Sequence, residues 1–273
     1  MKKTLTLIIV TLCATLALNA QSNLSALIPM PNHVEQVKGK PYRFVEGRTV
    51  ITYTAPEQQF AAESLASIIE QRTGVAVSVT PSNKKADITL SLDPTLQGDE
   101  HYRIEVSHKG IALTGSTTAA LFRAVMTLDQ LLLGDLLATA NDEMTPIIID
   151  DAPRFARRAL MLDPARHFLP VEDVKFFIDQ MAKYKYNVLQ LHLTDDQGWR
   201  VAIHSHPRLA SQQHYTQDEL RDIIHYAAQR HIEVVPEVDI PGHTVAILAS
   251  YPELSCSHLK FTYRASSPVA TCV

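Results

Sequence analysis

Three apolar runs in this chain end in titratable side chains. After "ALML" (159–162) come Asp163, Arg166 and His167. After "NVLQLHL" (187–193) come Asp195, Asp196 and the chain's only tryptophan, Trp199. After "IEVVP" (232–236) come Glu237, Asp239 and, past Pro241-Gly242, His243. Carboxylates, imidazoles and a guanidinium together are the groups that bind a substrate and move its protons. A single aspartate after a strand has a plainer use, since it caps the next helix or shapes a turn. Three successive segments ending this way, with Arg, Asp and His all present, point to a site. His192 lies inside its apolar run and equally suits a satisfied core histidine. A metal reading has donors too: His204 and His206 form a ligand-like pair, and His192, Asp195, Asp239 and His243 carry N and O atoms. The 204–206 pair sits in a polar connection away from the run ends, so neither a metal nor another cofactor is expected.

The elements that must hold these residues alternate strictly. "ALMLD" reads as a strand, and "VEDVKFFIDQMAKYKY" as a helix with Val174, Phe177, Ile178 and Met181 on one face. "NVLQLHLTD" is the next strand. "TQDELRDIIHYAAQR" is a helix that opens on a capping box, Thr216 and Glu219, and is expected to bury Leu220, Ile223, Ile224 and Ala227. "IEVVPEVD" is a third strand. Near-continuous apolar strands separated by helices predict a parallel sheet covered on both faces. The charged residues then stand at the strands' carboxyl ends, the face that carries the active site in a (β/α)₈ barrel.

Residues 22–150 predict a separate small α+β domain, read as scaffold. "PEQQFAAESLASIIEQRTG" sets Phe60, Leu65, Ile68 and Ile69 on one helical stripe with Gly74 as C-cap. "ADITLSL" and "YRIEVSHKGIALTG" read as strands turning at His108–Gly110, and "TAALFRAVMTLDQLLL" as a second amphipathic helix. The segment around Pro153 is the expected linker to a second domain at 154–256, followed by an irregular tail at 257–273.

The chain has 273 residues, 46% hydrophobic and 20% charged, with a formal net charge of −4. That is globular composition with room for two domains, and it argues against nucleic-acid binding. "MKKTLTLIIVTLCATLALNA" has the basic start, short apolar run and small-residue end of a secretory signal peptide over residues 1–20. Export to the periplasm or outside the cell is therefore expected, with no transmembrane span after its removal. Cys256 and Cys272 are the cysteines left, close enough in sequence to close only a short loop.

"LDPARHFLP", "NVLQLHLTDDQGWR" and "VVPEVDIPGHTVAILASYPELSC" closely resemble the catalytic domain of glycoside hydrolase family 20, the β-N-acetylhexosaminidases. "LIPMPNHVEQVKGKPYRF" and "YRIEVSHKGIALTGSTTAALFRAVMTLDQLL" resemble that family's N-terminal companion domain; the likeness runs from about residue 27 to Cys256. The resemblance implies N-acetylhexosamine-terminated glycans as partners and substrate-assisted retaining hydrolysis, in which the sugar's 2-acetamido oxygen attacks the anomeric carbon. It implies that Arg166 grips sugar hydroxyls, that His192 lies on the substrate side, and that Asp195 and His243 form a pair supporting an acid glutamate.

The sequence departs from the family in two ways. Ala159 stands where many relatives have glycine. More importantly, the family's catalytic Asp-Glu pair follows a Gly-Gly, and this chain has no Gly-Gly. Its Asp-Glu dipeptides are Asp99-Glu100 and Asp142-Glu143, both expected in loops, and Asp218-Glu219, expected in a helix's first turn. A full barrel takes roughly 250 residues, and only about 120 follow Pro153. The expected fold is thus a small α+β domain and the first three βα units of a TIM (β/α)₈ barrel, incomplete. The expected function is that of an inactive, C-terminally truncated hexosaminidase. The alternative is a non-catalytic module that binds carbohydrate or a partner.

Overall fold

The computed structural model describes residues 27–256, apart from 83, 85 and 136–141. The leader at 1–20, Cys13, Cys272 and the tail from 257 lie outside the described residues. The chain divides into two compact units, Met1–Arg154 and Phe155–Val273.

The strands of the first unit are β1 (His33–Gln36), β2 (Tyr42–Arg43), β3 (Val50–Tyr53), β4 (Ser78–Pro81), β5 (Ile88–Leu92), β6 (Tyr102–Ser107), β7 (Gly110–Gly115), β8 (Glu143–Met144) and β9 (Ile147–Asp151). Its helices are α1 (Gln59–Thr73) and α2 (Thr118–Asp135). Seven strands form one mixed sheet in the order β1-β9-β6-β7-β5-β3-β4, and β2 pairs with β8. The period-2 pattern of "YRIEVS" explains β6: Tyr102, Ile104 and Val106 are buried while Arg103, Glu105 and Ser107 face out. Both helices lie against this sheet and against each other, with Phe60 and Phe122 in ring contact at 5.8 Å. Gly74 ends α1 in the left-handed conformation (φ 74°), which lets its N–H close on the Glu70 carbonyl. Glu143 lies in β8 rather than in a loop, because the two-residue β2–β8 pairing is too short to leave a pattern in sequence.

The second unit holds β10 (Ala159–Leu162), α3 (Val171–Lys183), β11 (Val188–His192), β12 (Thr194–Asp195), β13 (Gly198–Trp199), α4 (Gln217–Gln229), β14 (Glu233–Glu237) and α5 (Val245–Ser250). β10, β11 and β14 form a parallel sheet in that order, with Leu162 opposite Leu191 and His192 opposite Glu237. Val174, Ile178 and Met181 of α3 are buried, as are Ile223 and Ala227 of α4. Ile224 is 44% exposed, against the sequence expectation. The buried seam of α4 runs through Ile223 and Ala227, four residues apart, and one step of about 100° swings Ile224 off it. Asp179 ties the two helices together, accepting from Tyr226 Oη at 2.9 Å and from Arg230 Nε at 2.6 Å. The capping box of α4 forms: Glu219 N–H donates to Thr216 Oγ1, and Thr216 N–H donates to the Glu219 carboxylate.

Candidate active site

The segment "TDDQGW" is a tight β12–β13 hairpin set directly beyond β11. That turn brings Asp195 back over the strand end, where it is 1% exposed. Each of its oxygens is engaged. Oδ2 lies 2.6 Å from Arg166 Nη2 and 3.0 Å from His192 Nε2. Oδ1 accepts the Asp196 N–H at 2.6 Å and lies 3.1 Å from His243 Nδ1. Asp195 is the hub through which residues from three strand ends meet.

Arg166 is held from two sides. Asp163, just past β10, accepts its backbone N–H at 3.0 Å and its Nη1 at 2.6 Å. The loop that carries it is clamped by the buried Arg200. Arg200 Nε donates to Pro164 O at 2.9 Å, Nη2 to Ala165 O at 2.9 Å and Nη1 to Gln213 O at 3.0 Å. Trp199 is buried too, its indole N–H donating to Val201 O at 2.8 Å. It thus belongs to the platform beneath the site. His243 takes a left-handed backbone (φ 55°), uncommon for a side chain with a Cβ, and Val245 N–H behind it donates to Asp196 Oδ1 at 3.1 Å. Asp195 therefore fixes the His243 ring and Asp196 the backbone that carries it.

Electrostatics follow from these contacts. Burial alone would raise the Asp195 pKa. The bonds from His192 and the Asp196 amide, with the charges of Arg166 and His243, outweigh it and hold the carboxyl below the usual range. Glu237 is held low chiefly by the Gln190 amide, against its partial burial, and further by His192. Burial disfavours a charged His192 ring, yet its bonds to Asp195 and Glu237 raise its pKa.

Ligand-type atoms of His192, Asp195 and Asp239 lie within 4.8 Å of one another, and so do those of Asp195, Asp196 and His243. Both Asp195 oxygens are already engaged, by Arg166, His192, His243 and the Asp196 amide. His204 and His206 join neither group.

Of the residues singled out in sequence, Arg166, Asp195 and His243 converge. His192 sits one layer below them, 4% exposed, with both ring nitrogens at carboxylates. Gln190, bonded to Glu237, and Arg200 are parts of the site that sequence reasoning did not find. Gln190 carried one signal, a polar residue interrupting an apolar strand two positions before His192.

Fold and site define a class: a parallel β/α domain with an ion-paired rim at its strand carboxyl ends. Comparison with known proteins narrows it. Residues 155–272 match the model of the glycosyl hydrolase family 20 catalytic domain, and residues 24–152 match that family's domain 2. The catalytic match continues past Cys256, where motif likeness in the sequence had ended. A β-hexosaminidase of Vibrio furnissii is 37% identical over 252 residues, 84% of this chain and 39% of that protein. A β-N-acetylhexosaminidase of Cellulomonas fimi is 36% identical over 85% of this chain and 49% of its own length. The solved Streptomyces plicatus N-acetyl-β-hexosaminidase in complex with thio-NAglucal is 40% identical, with a TM-score of 0.83 over 90% of this chain and 52% of that one. The chain belongs to glycosyl hydrolase family 20, a family of glycoside hydrolases, and spans about half or less of the length of these curated relatives.

Proposed function

We propose that this chain carries the sugar-gripping and relay half of a β-N-acetylhexosaminidase site, which removes terminal N-acetylhexosamine from glycans by substrate-assisted retaining hydrolysis. The observation that carries this reading is the continuous chain Arg166–Asp195–His243 at one rim. The Arg166 guanidinium, about a third exposed, has planar donors suited to vicinal sugar hydroxyls. Asp195 fixes the His243 ring through Nδ1, and no described residue partners Nε2. That nitrogen suits the support of an acid glutamate.

The acid itself is not among the Asp-Glu pairs of these 273 residues. Glu100 pairs with Arg123 at 2.9 Å, Asp142 and Glu143 both pair with Arg43, and Asp218 and Glu219 open α4. By itself the chain is accordingly read as an incompetent hydrolase. Losing a positioned general acid typically costs about 10²–10⁴-fold in rate. The second reading, a binding module without turnover, draws on the same built grip of Arg166 and Asp195. Residues 1–20 are read as an export signal that delivers the protein to the periplasm or beyond.

An aryl N-acetyl-β-glucosaminide tests the hydrolase reading, and calorimetry with N-acetylglucosamine tests the grip. Silent turnover with sugar binding that Arg166→Ala abolishes is the expected result. Turnover that survives purification and disappears in Arg166→Ala would overturn the statement that the donor is missing. Absence of binding would overturn the grip.

A further inference from the structure

His192 is the buried histidine that neither the grip nor the relay uses. It closes β11 opposite Glu237, the last residue of β14. Its Nδ1 lies 2.8 Å from Glu237 Oε1 and its Nε2 3.0 Å from Asp195 Oδ2. An ionised carboxylate only accepts hydrogen bonds. A neutral imidazole has one N–H, so it would turn a lone pair toward one of the two carboxylates at hydrogen-bond distance. The doubly protonated ring donates to both.

The surroundings agree with a cation there. The negative charge of Asp163, just past β10, favours a charged ring, and Asp195 and Glu237 bond it directly. Asp239 brings a carboxylate within reach of both His192 and Asp195. Against these stand Arg166 and, on the far side of Asp195, His243. Glu237 is also anchored by Gln190, on the same face of β11 two residues back. A neutral ring would leave four carboxylates facing mainly one guanidinium.

We propose that His192 is the positioning residue of this site: a buried imidazolium that ties Glu237 to Asp195 and so fixes which Asp195 oxygen meets Arg166 and which meets His243. In this arrangement both ring nitrogens are spent, and His192 has no donor left for a sugar. The bridge stands on geometry alone; its consequence for ligand rests on the sugar-site reading above.

The experiment uses the full chain with ¹⁵N-labelled histidine rings, as wild type, His192→Gln and Glu237→Gln. One ring should keep both nitrogens protonated at pH values above the ordinary histidine midpoint of about 6.5. That signal should vanish in His192→Gln, and its midpoint should fall in Glu237→Gln. In calorimetry, His192→Gln should bind N-acetylglucosamine on the order of tenfold to a hundredfold more weakly than wild type, the scale of a misplaced contact group. Trp199 emission checks that the variant is folded. If His192→Gln does not fold, Glu237→Gln carries the binding test, since it keeps the ring and removes one anchor. A wild-type His192 that is neutral at pH 7 overturns the bridge, and unchanged affinity in the folded variant overturns the positioning role. If wild type binds no sugar, it is the sugar-site reading that fails. The positioning role is then judged on the His243 ring signals, which should move in His192→Gln; unmoved signals overturn it.

Discussion

Gly198→Ala should loosen the loop that carries Arg166 although it alters no residue of the rim. A Cβ at position 198 would lie 2.5 Å from Arg200 Cζ, 2.6 Å from Nε and 2.8 Å from Nη2. A guanidinium is ordinarily the mobile end of a side chain and gives way cheaply. Here it is pinned, since Nε and Nη2 are the atoms that hold Pro164 O and Ala165 O, and Nη1 holds Gln213 O. A hydrogen bond from a charged donor contributes about 1.5–3 kcal/mol. Taken at the lower end, Arg200→Ala, which strands three carbonyls, should cost about 4.5 kcal/mol, and Gly198→Ala, which dislodges two of the contacts, about 3 kcal/mol. Because both changes break the same bonds, the double variant should be little less stable than Arg200→Ala alone, a coupling of about 2–3 kcal/mol. Urea unfolding followed by Trp199 emission measures this, because the single tryptophan lies beside Arg200 in the second unit. Additive losses, within about 0.5 kcal/mol, would refute the clamp.

Three further outcomes follow from the same contacts. Asp195→Asn keeps the volume but removes the charge that faces Arg166 and His192, and should cost about 3 kcal/mol or more by the same urea assay, the scale for breaking a buried pair. Thr216→Ala removes the α4 cap and should cost about 1 kcal/mol, with Thr216→Ser restoring it. The urea midpoint of the second unit should depend on pH in both directions. Asp195 and Glu237 have lowered pKa values, so their stabilisation is present above the ordinary carboxylate range and is lost as pH falls through the lowered values. His192 has a raised pKa, so its stabilisation is complete below about 6.5 and is lost as pH rises through the raised value. Stability should peak between, and His192→Gln should remove the alkaline fall while keeping most of the acid one.

Much of the scaffold was legible because its signals are local. Alternation in "YRIEVS" marks β6, the Val174–Ile178–Met181 spacing marks the buried face of α3, and Thr216 with Glu219 announces the start of α4. Ile224 shows the limit of such reasoning: it fits an apolar stripe, but only the packing of α4 shows that the seam passes beside it. Glu143 shows another, since a two-residue pairing with a strand a hundred positions earlier leaves no trace in sequence.

For the site, the amino-acid sequence by itself determined which residues stand at strand ends and, through its motifs, the family. The structure alone decided how they connect. Asp195 reaches Arg166 because "TDDQGW" folds back as a hairpin, and His192 meets Glu237 because parallel register sets residues 45 apart side by side. Arg200 became a clamp only when its loop closed over Pro164 and Ala165. Hydrophobic periodicity is written over a few residues, whereas a hydrogen bond across strands depends on register and loop path, which only the packed sheet fixes.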